Sequence, residues 1–388
     1  MKQSAQSGET GGRRSTAPDR RPTLAQVAAA AGVSSSTVSR ALDGNPRIPA
    51  ATRQRVREVA RELGFTPNIS ARSLRTQSSK LVGVVVPDIA IPFYAKVLKA
   101  AQNVLEASGY QVMVMNTERD AQHEAAALRA LHARQVDGLL VATSGGYIPD
   151  HGPVVFFDHI LRGTGLGQVS PDNAAGIRVL VEHLVSAHGH ERIAYLGGPV
   201  GPSEHIQRLE NAPATERLEG FRAAMGTLRL PVPPEYLTFG DYEWTESSAE
   251  EAVGTLLALD PPPTAIVAAG DTLALGALRQ LRRAQARVGS DVALVSFDDP
   301  VSGDLLDPPM TALMRHDREL GEISARLLLD ELGAARKGTG ALPPPPAKGG
   351  RPPGTAREAA GGQRDRPGPA EIRLAPELII RRSCGCAS

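Results

Sequence analysis

The chain has little cysteine and no long apolar stretch. Only Cys384 and Cys386 are cysteines among 388 residues, and we expect them in an inert tail over residues 381–388. Two thiols are too few for a disulfide framework or a structural zinc site, so the sequence predicts no metal and no cofactor. No apolar run reaches the roughly 18 residues of a membrane helix, and the polar first 22 residues lack a secretory signal. A cytoplasmic, nucleoid-associated location is therefore expected.

Catalytic motifs are absent as well. No nucleophile–histidine–acid set is recognisable, and Gly163, Gly165 and Gly167 are not followed by the Lys-Ser/Thr pair of a phosphate-binding loop. His188 and His190 flank a glycine in what we interpret as a helix-to-strand turn rather than a metal site. The sequence therefore predicts a binding protein and not an enzyme.

The charge distribution is strongly asymmetric. Residues 1–80 hold 14 Lys and Arg against 5 Asp and Glu, whereas the remainder holds 29 against 37. A basic head on an acidic body is typical of a protein with one end that meets a polyanion such as nucleic acid. The hydrophobic content of 41% provides for sizeable cores.

Changes of pattern divide the chain into regions. We predict a disordered tail over 1–22, an all-helical unit over 23–67 and a polar connector over 68–80. From 81 to 380, β-branched runs alternate with amphipathic stretches, which predicts parallel sheets covered by helices in two lobes. Residues 334–370 contain 8 Pro and 8 Gly and are predicted to be a disordered insertion. Residues 371–380 (EIRLAPELII) then resemble a strand again.

The helical unit fits a helix-turn-helix arrangement. Thr23 and Gln26 form a capping-box signature, Gly32 permits a tight turn, and Ser34 can cap a second helix over Ser35–Leu42. A third helix is expected to carry an arginine face made of Arg53, Arg55, Arg57 and Arg61. The second helix would enter the major groove. The pattern by itself is equally compatible with a solvated three-helix bundle.

The amino-acid sequence of residues 23–76 resembles that of the LacI/GalR (lactose-repressor) family of transcription regulators. It reads TLAQVAAAAGVSSSTVSRALDGN, then TRQRVREVARELGFTPN, then ISARSLRT. The resemblance implies DNA contacts at Thr23, Ser34, Ser35, Ser36, Thr37, Ser39 and Arg40. Ser35, Ser36 and Arg40 match the family's base-reading positions, while Thr37 and Ser39 match phosphate contacts. Arg40 can pair bidentately with a guanine edge.

The connector follows the same resemblance. It implies DNA contacts at Asn68, Ala71, Arg72 and Leu74, in a hinge helix that orders only on operator DNA. A segment this short is not a stable helix in water. In the family the leucine, here Leu74, wedges into the minor groove beside a leucine of a second subunit. The resemblance therefore implies a homodimer on a palindromic operator.

Polar residues recur where the predicted strands of the body end, which is where open parallel sheets bind ligands. They are Asp88, Asn116, Thr143–Ser144, Asp158, Asp241, Asp271 and Asp298. Carboxylates suit a neutral, hydroxyl-rich ligand because each accepts two hydrogen bonds. Each aspartate is equally suited to capping the helix that follows it, Asp271 above all.

The family resemblance extends from Leu81 to Ile380 as a type I periplasmic-binding-protein fold, through stretches such as HGHERIAYLGGP and PTAIVAAGDTLALG. It implies effector contacts at Phe93, Tyr94, Asp158, Arg217, Tyr242, Gly270 and Asp298. Three features depart from the family. Gly270 and Ile91 each stand where many members have Asn, which leaves the effector open, and the 334–370 insertion is additional.

The sequence thus predicts a regulator with a helix-turn-helix head and a two-lobed α/β body. The expected function is a repressor that binds operator DNA as a homodimer and is released by a small effector, a sugar by the pattern of carboxylates. One alternative is a corepressor-dependent, purine-type member of the same family. The other is a transport solute-binding protein, which shares the body fold but needs the missing signal peptide.

Overall fold

The computed structural model describes residues 22–66, 78–149, 152–161, 164–198, 213–240, 245–336 and 371–386. The chain divides into two compact units, Met1–Ser79 and Lys80–Ser388. Over the described ranges, no helix combines the length and the apolar character needed to cross a bilayer.

The first unit contains three short helices, α1 (Leu24–Ala31), α2 (Ser35–Leu42) and α3 (Ala50–Glu62). Their buried faces meet in a small core around Val27, Val38 and Val56. The predicted helix-turn-helix is confirmed, together with its caps. The Thr23 amide donates to Gln26 Oε1 at 2.7 Å, and Ser34 Oγ accepts from the Thr37 amide at 3.2 Å. Gly32 ends α1 with a φ of 67°, as the turn requires.

The arginine face of α3 is smaller than predicted. Arg53 is half-buried, and its Nη1 donates to the carbonyl oxygen of Ile48 at 2.5 Å. Its charge therefore ties the start of α3 to the preceding turn instead of facing outward. Arg55, Arg57 and Arg61 remain exposed.

The second unit contains twelve strands and seven α-helices in the described part of the chain. The strands are β1 (Leu81–Val86), β2 (Gln111–Asn116), β3 (Gly138–Val141), β4 (Val154–Phe157), β5 (Gly167–Pro171), β6 (Ile193–Gly197), β7 (Leu237–Phe239), β8 (Ala265–Ala268), β9 (Ala293–Ser296), β10 (Thr311–Met314), β11 (Glu371–Leu374) and β12 (Glu377–Ile379). The helices are α4 (Pro92–Ala107), α5 (Ala121–Ala133), α6 (Asn173–His188), α7 (Pro213–Thr227), α8 (Glu246–Leu257), α9 (Asp271–Arg283) and α10 (Asp317–Arg336). A 3₁₀ turn covers Pro234–Tyr236.

The strands form two six-stranded sheets, one for each lobe. The first lobe has the order β11-β5-β4-β3-β1-β2, all parallel. The second has the order β12-β10-β9-β8-β6-β7, with only β12 antiparallel to its neighbour. Strands β3, β4, β8 and β9 are buried along their whole length, as continuous apolar runs covered by helices on both faces should be. The predicted two-lobed α/β body is confirmed.

Three strands lie outside the predicted apolar runs, namely β5, β7 and β10. Strand β5 (GQVSP) contains Gly, Gln, Ser and Pro but is buried throughout. Its burial comes from lying between β4 and β11, a position in the sheet that local composition does not reveal. Strand β7 has three residues, which is too few to show a period.

The predicted single strand over 371–380 is in fact two strands in two different sheets. Strand β11 pairs with β5 in the first lobe, and β12 pairs with β10 in the second. Ala375 and Pro376 separate them, and a proline cannot donate to a strand ladder, so the chain leaves one sheet there. The chain passes from one lobe to the other between β11 and β12, as it also does after β5 and after β10.

Two predicted boundaries need correction. Helix α10 continues to Arg336, so no insertion begins at 334. Residues 381–386 are not a frayed tail, because Ser383 and Cys384 are buried. Ser383 Oγ accepts from the Thr311 amide at 2.8 Å and donates to the Leu294 carbonyl oxygen at 2.5 Å, which fixes this segment against β9 and β10.

Several predictions fall outside the described residues. These are the disordered tail over 1–21, the hinge residues Asn68, Ala71, Arg72 and Leu74, the pocket residues Asp241 and Tyr242, and the insertion over 337–370. They stay predictions.

Candidate functional site

The α2 helix of the head presents an exposed polar surface. Ser35, Ser36 and Arg40 are exposed, while Thr37 and Ser39 are half-buried at its edge. Ser34 Oγ lies 2.9 Å from both Ser36 Oγ and Thr37 Oγ1, so three hydroxyls form one hydrogen-bonded group at the start of the helix. The side chain of Thr23 is exposed but occupied by its capping box.

The body contains a cleft of about 770 Å³ where the two lobes meet, within the usual size range for small-molecule sites. Its lining includes six of the seven predicted effector contacts: Phe93, Tyr94, Asp158, Arg217, Gly270 and Asp298. The first three come from the first lobe and the last three from the second. Asp88, Ser144 and Asp271 also line it. Of the strand-end residues, Asp88, Ser144, Asp158, Asp271 and Asp298 thus line one cleft.

Two of the predicted strand-end residues serve the scaffold instead. Asn116 Oδ1 accepts from the amide of Ile89 at 3.0 Å and so fixes the loop after β1. Thr143 Oγ1 donates at 2.6 Å to the buried carboxylate of Glu124. Neither side chain belongs to the cleft lining.

Asp158 is held in place by an aromatic neighbour. The Tyr94 hydroxyl donates to Asp158 Oδ2 at 2.7 Å, and both residues are buried. Asp158 follows β4 with a φ of 69°, a left-handed backbone that Asp tolerates better than most residues. Burial, and then the Asp158 carboxylate, raise the pKa of the Tyr94 phenol well above its ordinary value, so the phenol keeps its proton and remains a donor.

Asp298 lies between two buried guanidinium groups. Arg315 Nε is 2.7 Å from Asp298 Oδ1, and Arg217 Nη1 is 4.0 Å from Asp298 Oδ2. Each guanidinium also stacks on a ring at 3.8 Å, Arg315 on Phe93 and Arg217 on Phe297. Such stacking fixes the orientation of a planar cation in the absence of solvent.

Backbone and amide groups complete the environment of Arg217. Its Nε donates to Asn173 Oδ1 at 2.9 Å, and its Nη1 donates to the Ala269 carbonyl oxygen at 2.5 Å. Burial lowers the pKa of Arg217, and the Asp298 carboxylate offsets part of this effect. For Arg315, burial also lowers the pKa, but Asp298 and Asp317 outweigh it and the net shift is upward.

Asp271 is not the N-cap of the helix that follows it, which was the alternative interpretation of this residue. The N-cap of α9 is Gly270, and Asp271 Oδ1 accepts from the Thr272 amide at 2.8 Å from within the first turn. Burial, and then the charge of Asp298, raise the pKa of Asp271. The two carboxylates therefore share one region of the cleft.

Buried polar atoms in the cleft lack hydrogen-bond partners within the described residues. They include His159 Nδ1 and Asp298 Oδ1, although Arg315 Nε is close to the latter. Arg315 and Asp298 thus form an ion pair whose N–H is not aligned as a hydrogen bond to Oδ1. Because a buried polar atom is costly to leave unpaired, His159 Nδ1 marks a position where a bound molecule would complete the network.

Sequence reasoning missed Arg315 and His159. Arg315 follows the short strand β10, which was not predicted. His159 directly follows Asp158, which was predicted as an effector contact. The lining as a whole is also more mixed in charge than the aspartate pattern indicated. Four arginines line the cleft: Arg119, Arg217, Arg279 and Arg315.

Comparison with known families matches both parts of the chain. Residues 23–68 match the family described as bacterial regulatory proteins, lacI family. Residues 181–349 match a periplasmic binding protein-like domain.

Two curated relatives span most of the chain. The HTH-type transcriptional repressor CytR of Escherichia coli strain K12 is 30% identical over 328 residues, which cover 82% of this chain and 92% of the relative. The HTH-type transcriptional regulator CelR of Thermobifida fusca is 32% identical over 327 residues, covering 81% and 92%.

Solved structures agree with these matches. The Lac repressor dimer bound to operator and the anti-inducer ONPF has a TM-score of 0.74 at 25% identity, covering 94% of this chain and 99% of that one. A CelR–cellobiose complex has a TM-score of 0.62 at 28% identity, covering 94% and 100%.

Proposed function

Because the chain belongs to the LacI family of transcription regulators, which are not enzymes, we propose that it is a repressor released from a palindromic operator by a sugar. Two copies would bind the operator together, and the effector would bind in the cleft of the body. As a transcription regulator it is not a transport solute-binding protein.

The arrangement around Asp298 carries the effector proposal. Arg217 supplies N–H donors at the Oδ2 side of the Asp298 carboxylate, and Arg315 Nε lies 2.7 Å from its Oδ1. Adjacent hydroxyls of a sugar each need a donor and an acceptor, which an Arg–Asp pair offers together. On the other lobe, His159 Nδ1 is a buried polar atom without a hydrogen bond, 3.6 Å from Asp158 Oδ2. The relative CelR, solved with cellobiose, supports the same ligand class.

Effector control requires differential affinity for two states of the protein. The cleft is lined by both lobes, so a ligand that contacts both stabilises one lobe arrangement over another. If that arrangement separates the two hinge helices, operator affinity falls. The coupling is reciprocal, so operator DNA must weaken effector binding by the same factor.

On the DNA side, we assign base reading to Ser35, Ser36 and Arg40 and phosphate contacts to Thr37 and Ser39. The exposure of Arg40 and the two serines on α2 supports this assignment. Thr23 and Ser34 stay close to the DNA in this proposal, with their side chains used mainly as helix caps.

The hinge residues Asn68, Ala71, Arg72 and Leu74 belong to the proposal through the family resemblance alone. Leu74→Ala should reduce operator bending in a gel-mobility bend assay, since the wedge that unstacks the central step is removed. The melting temperature should not change. Unchanged bending would contradict the role of Leu74.

The deciding experiment combines operator selection with ligand titration. The purified chain is used to select genomic fragments, and its affinity for a selected fragment is measured with monosaccharides, disaccharides and purines. We expect a sugar to weaken operator binding. A purine that strengthens binding would replace the proposal with the corepressor alternative, and a monomer without fragment preference would refute it.

Two variants at neighbouring positions sharpen this test. Asp298→Asn removes the carboxylate in the cleft and should abolish the sugar response while operator binding persists. Asp299→Asn is the matched control, because Asp299 pairs with Arg381 at 2.6 Å and does not line the cleft. An equal loss of response in both variants would contradict the role of Asp298.

A further inference from the structure

Four metal-ligating side chains meet at the end of α6. His183 and His188 lie in its last turns, and Cys384 and Cys386 lie in the segment after β12. The four ligand atoms all lie within 4.8 Å of one another. The helix has 16 residues and is about 24 Å long. Because Asn173, which binds Arg217, is at its opposite end, this cluster is separate from the effector cleft.

Three nitrogen–sulfur distances inside the cluster are close to those of a tetrahedral zinc site. His183 Nε2 lies 3.4 Å from Cys384 Sγ and 3.8 Å from Cys386 Sγ, and His188 Nε2 lies 3.2 Å from Cys386 Sγ. With Zn–N near 2.0–2.1 Å and Zn–S near 2.3 Å, tetrahedral angles put nitrogen and sulfur ligands about 3.6 Å apart. One imidazole nitrogen, His183 Nε2, thus lies within reach of both sulfurs, as a shared metal ion requires.

The local backbone favours convergence of the four ligands. Four residues separate His183 from His188, within the three to five typical of zinc sites. Gly385 has a φ of +99°, which turns the short Cys-Gly-Cys segment so that both sulfurs meet the histidines. A Cβ at Gly385 would lie 2.8 Å from the carbonyl oxygen of Gly289, so glycine is needed there for close approach as well.

We infer that His183, His188, Cys384 and Cys386 form a structural zinc site that joins α6 to the segment after β12. Binding one Zn²⁺ releases two protons, one from each thiol, and leaves a site without net charge. The helix C-terminus carries a partial negative charge that favours a cation at this position. The four protein ligands close the coordination sphere, which is the arrangement of structural rather than catalytic zinc.

An outer contact orients one of the sulfur ligands. Thr311 Oγ1 lies 3.2 Å from Cys384 Sγ, and its hydroxyl can donate to the thiolate that zinc binding creates. Thr311 begins β10, and Cys384 is only 1% exposed. The ion would therefore connect α6 both to the 383–386 segment and to the second sheet.

Zinc binding can be measured on the full chain without a histidine tag. The protein is reduced, loaded with zinc, desalted and analysed for metal by mass spectrometry. We expect one zinc per chain and a melting temperature that falls when a chelator removes it, because an ion that binds only the folded state stabilises that state. Cobalt in place of zinc should give the visible bands of a tetrahedral site and a thiolate charge-transfer band.

Ligand variants identify the site. Cys386→Ser and His188→Gln should each lower zinc affinity at least tenfold in competition with a chromophoric chelator, and Cys386→Ser should weaken the charge-transfer band. His190→Gln is the matched control, since its ring is 5.9 Å from that of His188 but its Nδ1 contacts Thr264 Oγ1. The inference would be overturned if the wild type bound no zinc, or if the wild type and both ligand variants bound equal amounts. A Cys384–Cys386 disulfide in the reduced preparation would overturn it as well.

Discussion

The head and the body hold their candidate functional residues in opposite ways. In the head, Ser35, Ser36 and Arg40 come from one helix and are exposed. In the body, residues as far apart as Tyr94 and Arg315 are buried together in one cleft. A residue on the head's surface can serve DNA recognition without contributing to stability. A charge buried in the cleft must be compensated by its neighbours, so there binding and folding depend on the same contacts.

The largest effect on stability is expected at Arg217, because the contacts of this residue serve both effector binding and folding. Arg217→Ala removes the donor to Asn173 Oδ1 and to the carbonyl oxygen of Ala269, and it leaves both acceptors buried. We expect a loss of roughly 2–4 kcal/mol in the free energy of unfolding. Urea denaturation monitored by circular dichroism measures it, and effector binding should be lost in the same variant.

Arg222→Ala is the matched control for Arg217→Ala. Arg222 lies on the same helix α7 but is exposed, so its removal should change stability by less than about 0.5 kcal/mol. If both variants unfold at the same urea concentration as the wild type, the buried network around Arg217 does not stabilise the second lobe.

A smaller effect, on DNA affinity alone, is expected at Arg40. Arg40→Ala should weaken operator binding by roughly 1–3 kcal/mol through loss of the guanine contact, with a much smaller effect on nonspecific DNA. Fluorescence anisotropy with operator and scrambled duplexes measures the difference. The melting temperature should be unchanged, in contrast with Arg217→Ala.

Arg57→Ala removes an equal charge from an exposed position on α3. It should weaken binding to operator and to nonspecific DNA alike, since only the electrostatic attraction to phosphates changes. If Arg40→Ala, like Arg57→Ala, weakens binding to operator and to nonspecific DNA equally, Arg40 does not read a base.

The contrast between head and body also explains what the sequence could predict. Helix α2 was located to the residue, Ser35–Leu42, because its cap and its buried face lie within one short stretch. Asp158, Arg217 and Asp298 were identified through the family resemblance, and the structure brings them into one cleft. Their hydrogen-bond partners could not be predicted, because Asn173 and the carbonyl of Ala269 meet Arg217 only after distant segments fold together.

The residues that sequence reasoning misplaced depend on long-range packing. Arg315 follows a four-residue strand whose place in the sheet depends on β9 and β12. Pro376 separates two strands that were predicted as one. Cys384 and Cys386 were assigned to a tail because counting thiols ignores the two histidines that α6 places beside them.

The smallest expected effect separates stability from recognition within the head itself. Thr23 is implied as a DNA contact by the family, yet its side chain and amide are engaged in a capping box with Gln26. Thr23→Ala should therefore lower the stability of the head by about 1 kcal/mol. Thr23→Ser keeps the side-chain oxygen and should preserve that stability. Hydrogen exchange of the α1 amides measures this change, with amides of the body as internal reference. Capping stabilises the helix whether or not DNA is bound. Faster exchange in Thr23→Ala without DNA therefore assigns Thr23 a structural role. Unchanged exchange combined with weaker operator binding would instead assign it a direct DNA contact.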